Sequence, residues 1–164
     1  MSKTSIGTLP AHALSARAVS TRLAEAAAQC EARGVLLTDL RREVLALLLQ
    51  RGGPVKAYDL QDDMRARHGK VAPTTVYRAL DFLIEHELAH RIDALNAFIA
   101  CHGSRGHDTH HALMVVCERC ERATEVHDDE AYSWVAKRLT KAGLGFAQTR
   151  IEIKGVCQAC KAAA

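Results

Sequence analysis

The residues best able to do chemistry in this chain are cysteines and histidines gathered in its second half. Two C-x-x-C pairs stand out, Cys117 with Cys120 and Cys157 with Cys160. Each pair can direct two thiolates at one ion, and two pairs complete a tetrahedral S₄ shell closed to water, which is the structural zinc arrangement. A thioredoxin-like redox pair beside unrelated cysteines is the alternative, but no βαβ unit precedes either pair.

A second group of metal-binding residues is left once the four paired cysteines are set aside. It comprises His90, Cys101, His102, His107, Asp108, His110, His111, Glu125 and His127. A shell of histidine, cysteine and carboxylate suits zinc. A four-residue turn over residues 94–97 would place His90 directly opposite Cys101 across a hairpin. The alternative is a histidine-rich surface loop, since five of these residues fall within 102–111.

A third candidate surface lies on the fourth predicted helix, which begins at Pro73 because proline is favoured at the first helical position. Its apolar residues from Val76 to Ile84 follow the spacing of one buried face. The outer face then carries Thr74, Thr75, Tyr77, Arg78 and Asp81. Hydroxyls at a helix N-terminus suit phosphate, and an arginine in the first turns can reach guanine. The alternative is a solvated helix face.

The elements that must position these residues follow from apolar periodicity and from turn residues. Helices are predicted over 17–33, 39–50, 56–67 and from 73 onward, with Thr38 able to cap the second. Strands follow at 88–93 and 98–101 around a turn with Asn96, then at 112–116 and 124–126. Asp128 or Asp129 caps a helix that ends near Ala142, and a last strand alternates over 149–154. Three helices and a hairpin describe a winged helix-turn-helix.

The predicted fold class is therefore α+β, with an N-terminal winged helix-turn-helix domain followed by a small α/β domain. The expected divisions are residues 1–92, a hairpin and hinge at 93–103, and residues 104–164. Two small domains in 164 residues would each have a limited core. Such domains often need a metal or a partner chain to be stable, so the S₄ ion would stabilise the small C-terminal domain.

Composition and charge narrow the classes of partner. The chain is 48% hydrophobic and 25% charged, with a net charge of only +3, as in soluble globular proteins. Any DNA would be bound by a placed patch and not by bulk charge. No apolar stretch reaches the ~18 residues of a membrane span, and no secretory signal is evident. We expect a reducing, cytoplasmic location, where cysteines bind metal more often than they form disulfides.

The stretch "APTTVYRALDFLIEHELAHRID", with "CERC" and the terminal "CQAC", resembles the Fur family of metal-responsive repressors over about residues 20–160. Within that family it looks most like the zinc uptake regulators (the Zur branch), through "TTVYRALDFL", "AHRID...ACH" and Glu125, eight residues after Cys117. The resemblance implies a homodimer, formed through the C-terminal domain, that binds palindromic double-stranded operator DNA. It also implies repression of zinc-uptake genes when zinc is replete.

The resemblance also implies a ligand set. The paired cysteines would hold the structural zinc, and the regulatory ligands would be His90, Cys101, His110 and Glu125, so at least two zinc ions per protomer are expected. The loop between Cys101 and Cys117 is one residue longer than the family pattern, which leaves His107 and His111 as rivals to His110. The "HDTHH" stretch loosely matches a denser motif of iron and peroxide sensors. A further metal site would draw on His107, Asp108, His111 and His127.

These patterns together predict a zinc-sensing transcriptional repressor and not an enzyme. An iron- or peroxide-responsive regulator of the same family is the nearer alternative, and Cys101 argues against it because a thiolate favours zinc over Fe(II). A zinc hydrolase is the alternative from another class. It needs an open coordination position and a placed general base, and a shell of four protein ligands leaves no open position.

Overall fold

The computed structural model describes residues 13–101, 112–126, 128–144 and 150–163. The described residues form two compact units, one ending at Cys101 and the other beginning at Ala112. Helices and small sheets occur together, so the predicted α+β class is confirmed. The predicted domain limits at residues 92 and 103 stay predictions. Within the described ranges, no helix combines the length and apolar character needed to cross a bilayer.

The N-terminal unit is a winged helix-turn-helix. Its elements are α1 (Ala16–Ala32), α2 (Asp39–Arg51), α3 (Ala57–His68), α4 (Pro73–Glu85), β1 (Ala89–Ile92) and β2 (Ala97–Ala100). The antiparallel β1–β2 hairpin forms the wing, and Val55 adds a short bridge to Phe98. Aliphatic side chains from α2, α3 and α4, among them Leu48, Leu60, Leu80 and Leu83, are fully buried and form the core.

The helix ends show why these segments are helical. The Ser15 hydroxyl caps α1 by accepting a hydrogen bond from the Ala18 N–H. Thr38 occupies the N-cap of α2, but its side chain makes no capping hydrogen bond, so the prediction that Thr38 caps this helix was only half right. Asp39 in the first turn complements the helix dipole there. Pro73 is in the first turn of α4, as predicted.

The hairpin register differs from the prediction. The turn lies over Asp93–Asn96, with Asn96 in the left-handed conformation, and Ile92 pairs with Ala97 to close it. His90 therefore pairs with Ile99, and the expectation that it faces Cys101 directly was wrong by two positions. Asparagine tolerates the left-handed region better than most residues, which allows the turn to end one residue before Ala97. A shift of two leaves every side chain on its predicted face.

The C-terminal unit is a three-stranded sheet with two helices. Its elements are β3 (Ala112–Cys117), β4 (Ala123–Val126), α5 (Asp129–Lys141), β5 (Arg150–Gly155) and α6 (Gln158–Ala162). The strand order is β4-β3-β5, with β4 antiparallel and β5 parallel to the central β3. Asp128 caps α5 by accepting a 2.9 Å hydrogen bond from the Ala131 N–H. The short helix α6 was not predicted from the sequence.

Candidate metal centres and nucleic-acid interface

The parallel pairing of β3 and β5 brings the two C-x-x-C pairs to one edge of the sheet. Cys117 ends β3 and pairs with Gly155, the last residue of β5, so Cys157 follows two residues later. Cys120 lies in the tight turn after β3, and Cys160 lies on α6. All four sulfur atoms lie within 4.8 Å of one another. The sequence pattern is thus matched by a compact cluster of four thiols.

The spacing within this cluster suits a metal ion and not a disulfide. The sulfurs of Cys120 and Cys157 are 3.9 Å apart. A tetrahedral ion with Zn–S bonds of about 2.3 Å places its sulfurs about 3.8 Å apart, whereas a disulfide bond is about 2.05 Å long. All six cysteines of the chain lie in the described ranges, and none of them forms a disulfide. The donor set therefore fits zinc.

Hydrogen bonds within the cluster hold the cysteines in place and shift the pKa values of two of the thiols. The Cys157 N–H donates to the Cys117 sulfur at 3.4 Å, and Arg119 donates to the Cys160 carbonyl at 2.9 Å. Backbone N–H groups, that of Cys157 first, lower the pKa of Cys117 to about 6. Hydrogen bonds to Cys157 and Cys120 raise the pKa of Cys160 to about 12. A zinc ion bound by all four sulfurs would displace the proton of the Cys160 thiol.

The hairpin of the N-terminal unit positions His90 and Cys101 as a second pair of metal-binding groups. Cys101 extends the hairpin by one rung, because its N–H donates to the Leu88 carbonyl at 3.0 Å. It stands two residues beyond Ile99, the partner of His90, so both side chains occupy the same face. A ring nitrogen of His90 lies within 4.8 Å of the Cys101 sulfur. Both residues are buried.

Glu125 lies on β4 of the C-terminal unit, where it pairs with the fully buried Met114. Among the described residues the buried polar or charged side chains are Gln61, His90 and Glu125, so the set contains two predicted regulatory ligands. A buried carboxylate is costly unless it is hydrogen-bonded, paired or bound to a metal. The remaining predicted ligands His107, Asp108, His110, His111 and His127 lie outside the described residues, as does His102.

The outer face of α4 has the exposure that nucleic-acid contact requires. Thr74, Tyr77 and Arg78 are exposed and Thr75 is half-buried, while Val76, Leu80 and Leu83 face the core. Tyr77 leaves half of its surface in solvent. An exposed tyrosine beside an exposed arginine on the last helix of a helix-turn-helix is suited to reading base edges and phosphates.

Tyr58 on α3 is an exposed aromatic residue that the sequence analysis missed. About two thirds of its surface is exposed, and a hydrogen bond with Asp62 raises the pKa of its hydroxyl. The signal was available, since Tyr58 stands outside the apolar set Ala57, Leu60 and Met64 that fills the buried face of α3.

Comparison with known proteins places the chain in a family. The model of the ferric uptake regulator family matches residues 32–154, which is most of the chain and includes His90, Cys101 and the first cysteine pair. The chain belongs to this family. The resemblance inferred from the residues is therefore confirmed.

Within the family the chain is most like the zinc uptake regulators. It is 36% identical over 138 residues to the zinc uptake regulation protein of Escherichia coli K12, covering 84% of this chain and 80% of that protein. It is 32% identical over 130 residues to the zinc uptake regulation protein of Mycobacterium tuberculosis, covering 79% and 98%. A solved zinc uptake regulator complexed with zinc and DNA matches with a TM-score of 0.80 at 34% identity, covering 88% and 96%.

Proposed function

We propose that this protein is a zinc-sensing transcriptional repressor, which binds operator DNA when its regulatory zinc is bound and represses zinc-uptake genes. The similarity to a zinc uptake regulator complexed with zinc and DNA carries this proposal. The chemistry of the described residues supports it, because the chain presents an S₄ cluster, a buried histidine–cysteine pair and an exposed reading helix. This favours a regulator over an enzyme.

The cysteine and histidine donor atoms favour zinc as the metal at both proposed sites. The four cysteines would hold a structural zinc that stabilises the small C-terminal sheet. The regulatory zinc would be held by His90, Cys101, His110 and Glu125, with His107 and His111 as rivals to His110. The Cys101 thiolate is a soft donor, and soft donors favour zinc over exchangeable Fe(II). A further metal site would draw on His107, Asp108, His111 and His127.

The proposed regulatory ligands come from both units, since His90 and Cys101 belong to the first and Glu125 to the second. One ion held by ligands from two units favours a subset of their arrangements. That restriction is what a repressor needs in order to hold two recognition helices in successive major grooves, about 34 Å apart on a palindromic site. Zinc can raise DNA affinity only by binding the DNA-competent arrangement more tightly than the others.

The DNA-binding form is proposed to be a cytoplasmic homodimer, because a two-fold symmetric operator is matched by a two-fold symmetric protein. The outer face of α4 would enter the major groove. Thr74 and Thr75 would contact phosphates near the helix N-terminus, while Tyr77 and Arg78 would reach bases and sugars. Each protomer would then carry at least two zinc ions.

The proposal is tested by following DNA binding against metal. A duplex is first selected by the chelator-treated, zinc-reloaded protein from randomised DNA. Fluorescence anisotropy then measures how much protein binds this duplex. Binding should rise steeply with free zinc and stay near the metal-free level with anaerobic Fe(II) at the same concentrations. A larger response to Fe(II) than to zinc would replace the zinc sensor with the iron-responsive alternative. A response to neither metal would overturn metal sensing.

A further inference from the structure

A single side chain from α1 reaches across the N-terminal unit to the residue proposed as the regulatory thiolate. The Arg22 guanidinium donates a 2.7 Å hydrogen bond from Nη2 to the backbone carbonyl of Cys101, 79 residues later. Its other terminal nitrogen lies 3.4 Å from Glu25, one turn further along α1. The Arg22 side chain is two-thirds buried, so this hydrogen bond is partly shielded from water. A charged donor makes such a hydrogen bond stronger than a neutral one.

Both backbone groups of Cys101 are thereby fixed. Its N–H donates to Leu88 across the hairpin, and its carbonyl accepts from Arg22. The Arg22 hydrogen bond therefore helps to hold the peptide group that follows the Cys101 side chain.

The α1 helix is itself anchored well enough to make Arg22 a rigid support. Val19, Ala26 and Cys30 bury one of its faces in the core. At its C-terminal end Gln29 and Arg33 both donate to the His86 carbonyl, at 3.3 and 3.2 Å. Since His86 is the C-cap of α4, the same helix contacts the end of the reading helix and the peptide group of Cys101.

We propose that Arg22 is a positioning residue for the regulatory zinc site, acting by holding the Cys101 backbone so that its thiolate is presented beside His90. This rests on the proposed role of Cys101 as a zinc ligand. Groups that orient metal ligands typically change metal affinity by ~10–100-fold when they are removed. We expect Arg22→Gln to lower the affinity for the exchangeable zinc by about tenfold. Arg22→Lys keeps one charged donor and should lower this affinity less.

The test compares the zinc affinity of the full-length wild type with that of three variants. Zinc is competed against a chelator of known affinity for wild type, Arg22→Gln, Arg22→Lys and Arg17→Gln, the last removing an exposed arginine from the same helix. The expected order of affinity is wild type and Arg17→Gln, then Arg22→Lys, then Arg22→Gln. Cobalt(II) in the exchangeable site should show a weakened thiolate charge-transfer band in Arg22→Gln, while tightly held zinc stays constant.

Amide hydrogen exchange distinguishes a role of Arg22 in zinc binding from a role in stability alone, because the measured quantity is the change in protection that zinc causes. Zinc should increase amide protection in α1 of the wild type and not in Arg22→Gln. Only the wild type keeps the hydrogen bond that links α1 to the proposed zinc ligand Cys101. If Arg22→Gln fails to fold, Arg22→Lys is compared with Arg17→Lys. Equal zinc affinity in those two, or in Arg22→Gln and wild type, would overturn the inference.

Including Cys101→Ser separates this inference from the proposed function. Cys101→Ser should lose the exchangeable zinc altogether. If it keeps that zinc, the role of Cys101 as a ligand fails and the inference fails with it. If Cys101→Ser loses the zinc while Arg22→Gln binds it like the wild type, only the role of Arg22 fails.

Discussion

At the scale of single residues, the two metal-binding groups differ in how they are made. The four paired cysteines are close in the sequence within each pair, so their type and spacing were enough to predict a common site. His90 and Cys101 are eleven positions apart, and the hairpin must fold before they meet on one face. The chemistry of such a pair was predictable from residue type, whereas its geometry depended on the turn at Asn96.

Arg78 is the residue that we propose reads the DNA bases most directly. Arg78→Ala should lower the affinity for the selected duplex by ~1–3 kcal/mol if Arg78 makes a bidentate base contact. Zinc content and dimer mass should not change. Lys137→Ala, which removes an exposed charge from α5, is the matched control and should bind like the wild type. Anisotropy titrations at one fixed salt concentration measure both, and unchanged binding by Arg78→Ala would remove α4 from the interface.

At the scale of elements, the N-caps of two helices show that a sequence predicts the capping position but not the capping hydrogen bond. Asp128 and Thr38 both stand at an N-cap, but only Asp128 makes the side-chain hydrogen bond. Residue type alone does not distinguish them, because the bond depends on the side-chain rotamer and on the preceding chain.

The two caps therefore make a matched pair of variants. Asp128→Ala should destabilise the C-terminal unit by about 1 kcal/mol, since it removes a cap hydrogen bond and a favourable charge at the helix dipole. Thr38→Ala should cost distinctly less in the N-terminal unit. Urea unfolding of the zinc-loaded protein, followed by hydrogen exchange in α5 and α2, measures both. A larger loss for Thr38→Ala than for Asp128→Ala would contradict the observed caps.

Element positions were otherwise well predicted, with two exceptions. The short helix α6 spans only Gln158–Ala162 and has too few residues for a periodic pattern. The pairing of β5 beside β3 joins strands separated by β4 and α5, and such long-range pairing leaves no local signal in the sequence. That pairing is nevertheless what places Cys157 beside Cys117, so the sequence could predict the ion but not the sheet that assembles its ligands.

The structural zinc should therefore be part of folding in the C-terminal unit. Cys157→Ser should release the chelator-resistant zinc and unfold or monomerise this unit, because the proposed ion would join the ends of β3 and β5. Cys30→Ala removes a cysteine from the N-terminal core and should keep all zinc and the dimer. Zinc analysis and light scattering on both variants measure this. A dimeric, cooperatively folded Cys157→Ser would show that the ion is dispensable.

At the scale of the whole molecule, zinc binding at the proposed regulatory site and DNA binding by α4 are linked equilibria. Family membership and the likeness to zinc uptake regulators agree with the donor chemistry of His90 and Cys101. Linkage requires reciprocity, so DNA must raise the affinity for regulatory zinc by the factor with which zinc raises the affinity for DNA. The structural zinc shares no ligand with the proposed regulatory site and should not respond to DNA.

The central claim is that zinc acts on DNA binding through Cys101. The most direct measurement is a zinc titration of chelator-treated Cys101→Ser, with binding to the selected duplex followed by anisotropy and wild type measured in parallel. We expect wild-type binding to rise with zinc while Cys101→Ser stays at the metal-free level, still dimeric and still holding its S₄ zinc. A normal zinc-dependent rise in Cys101→Ser would show that zinc does not act through this thiol.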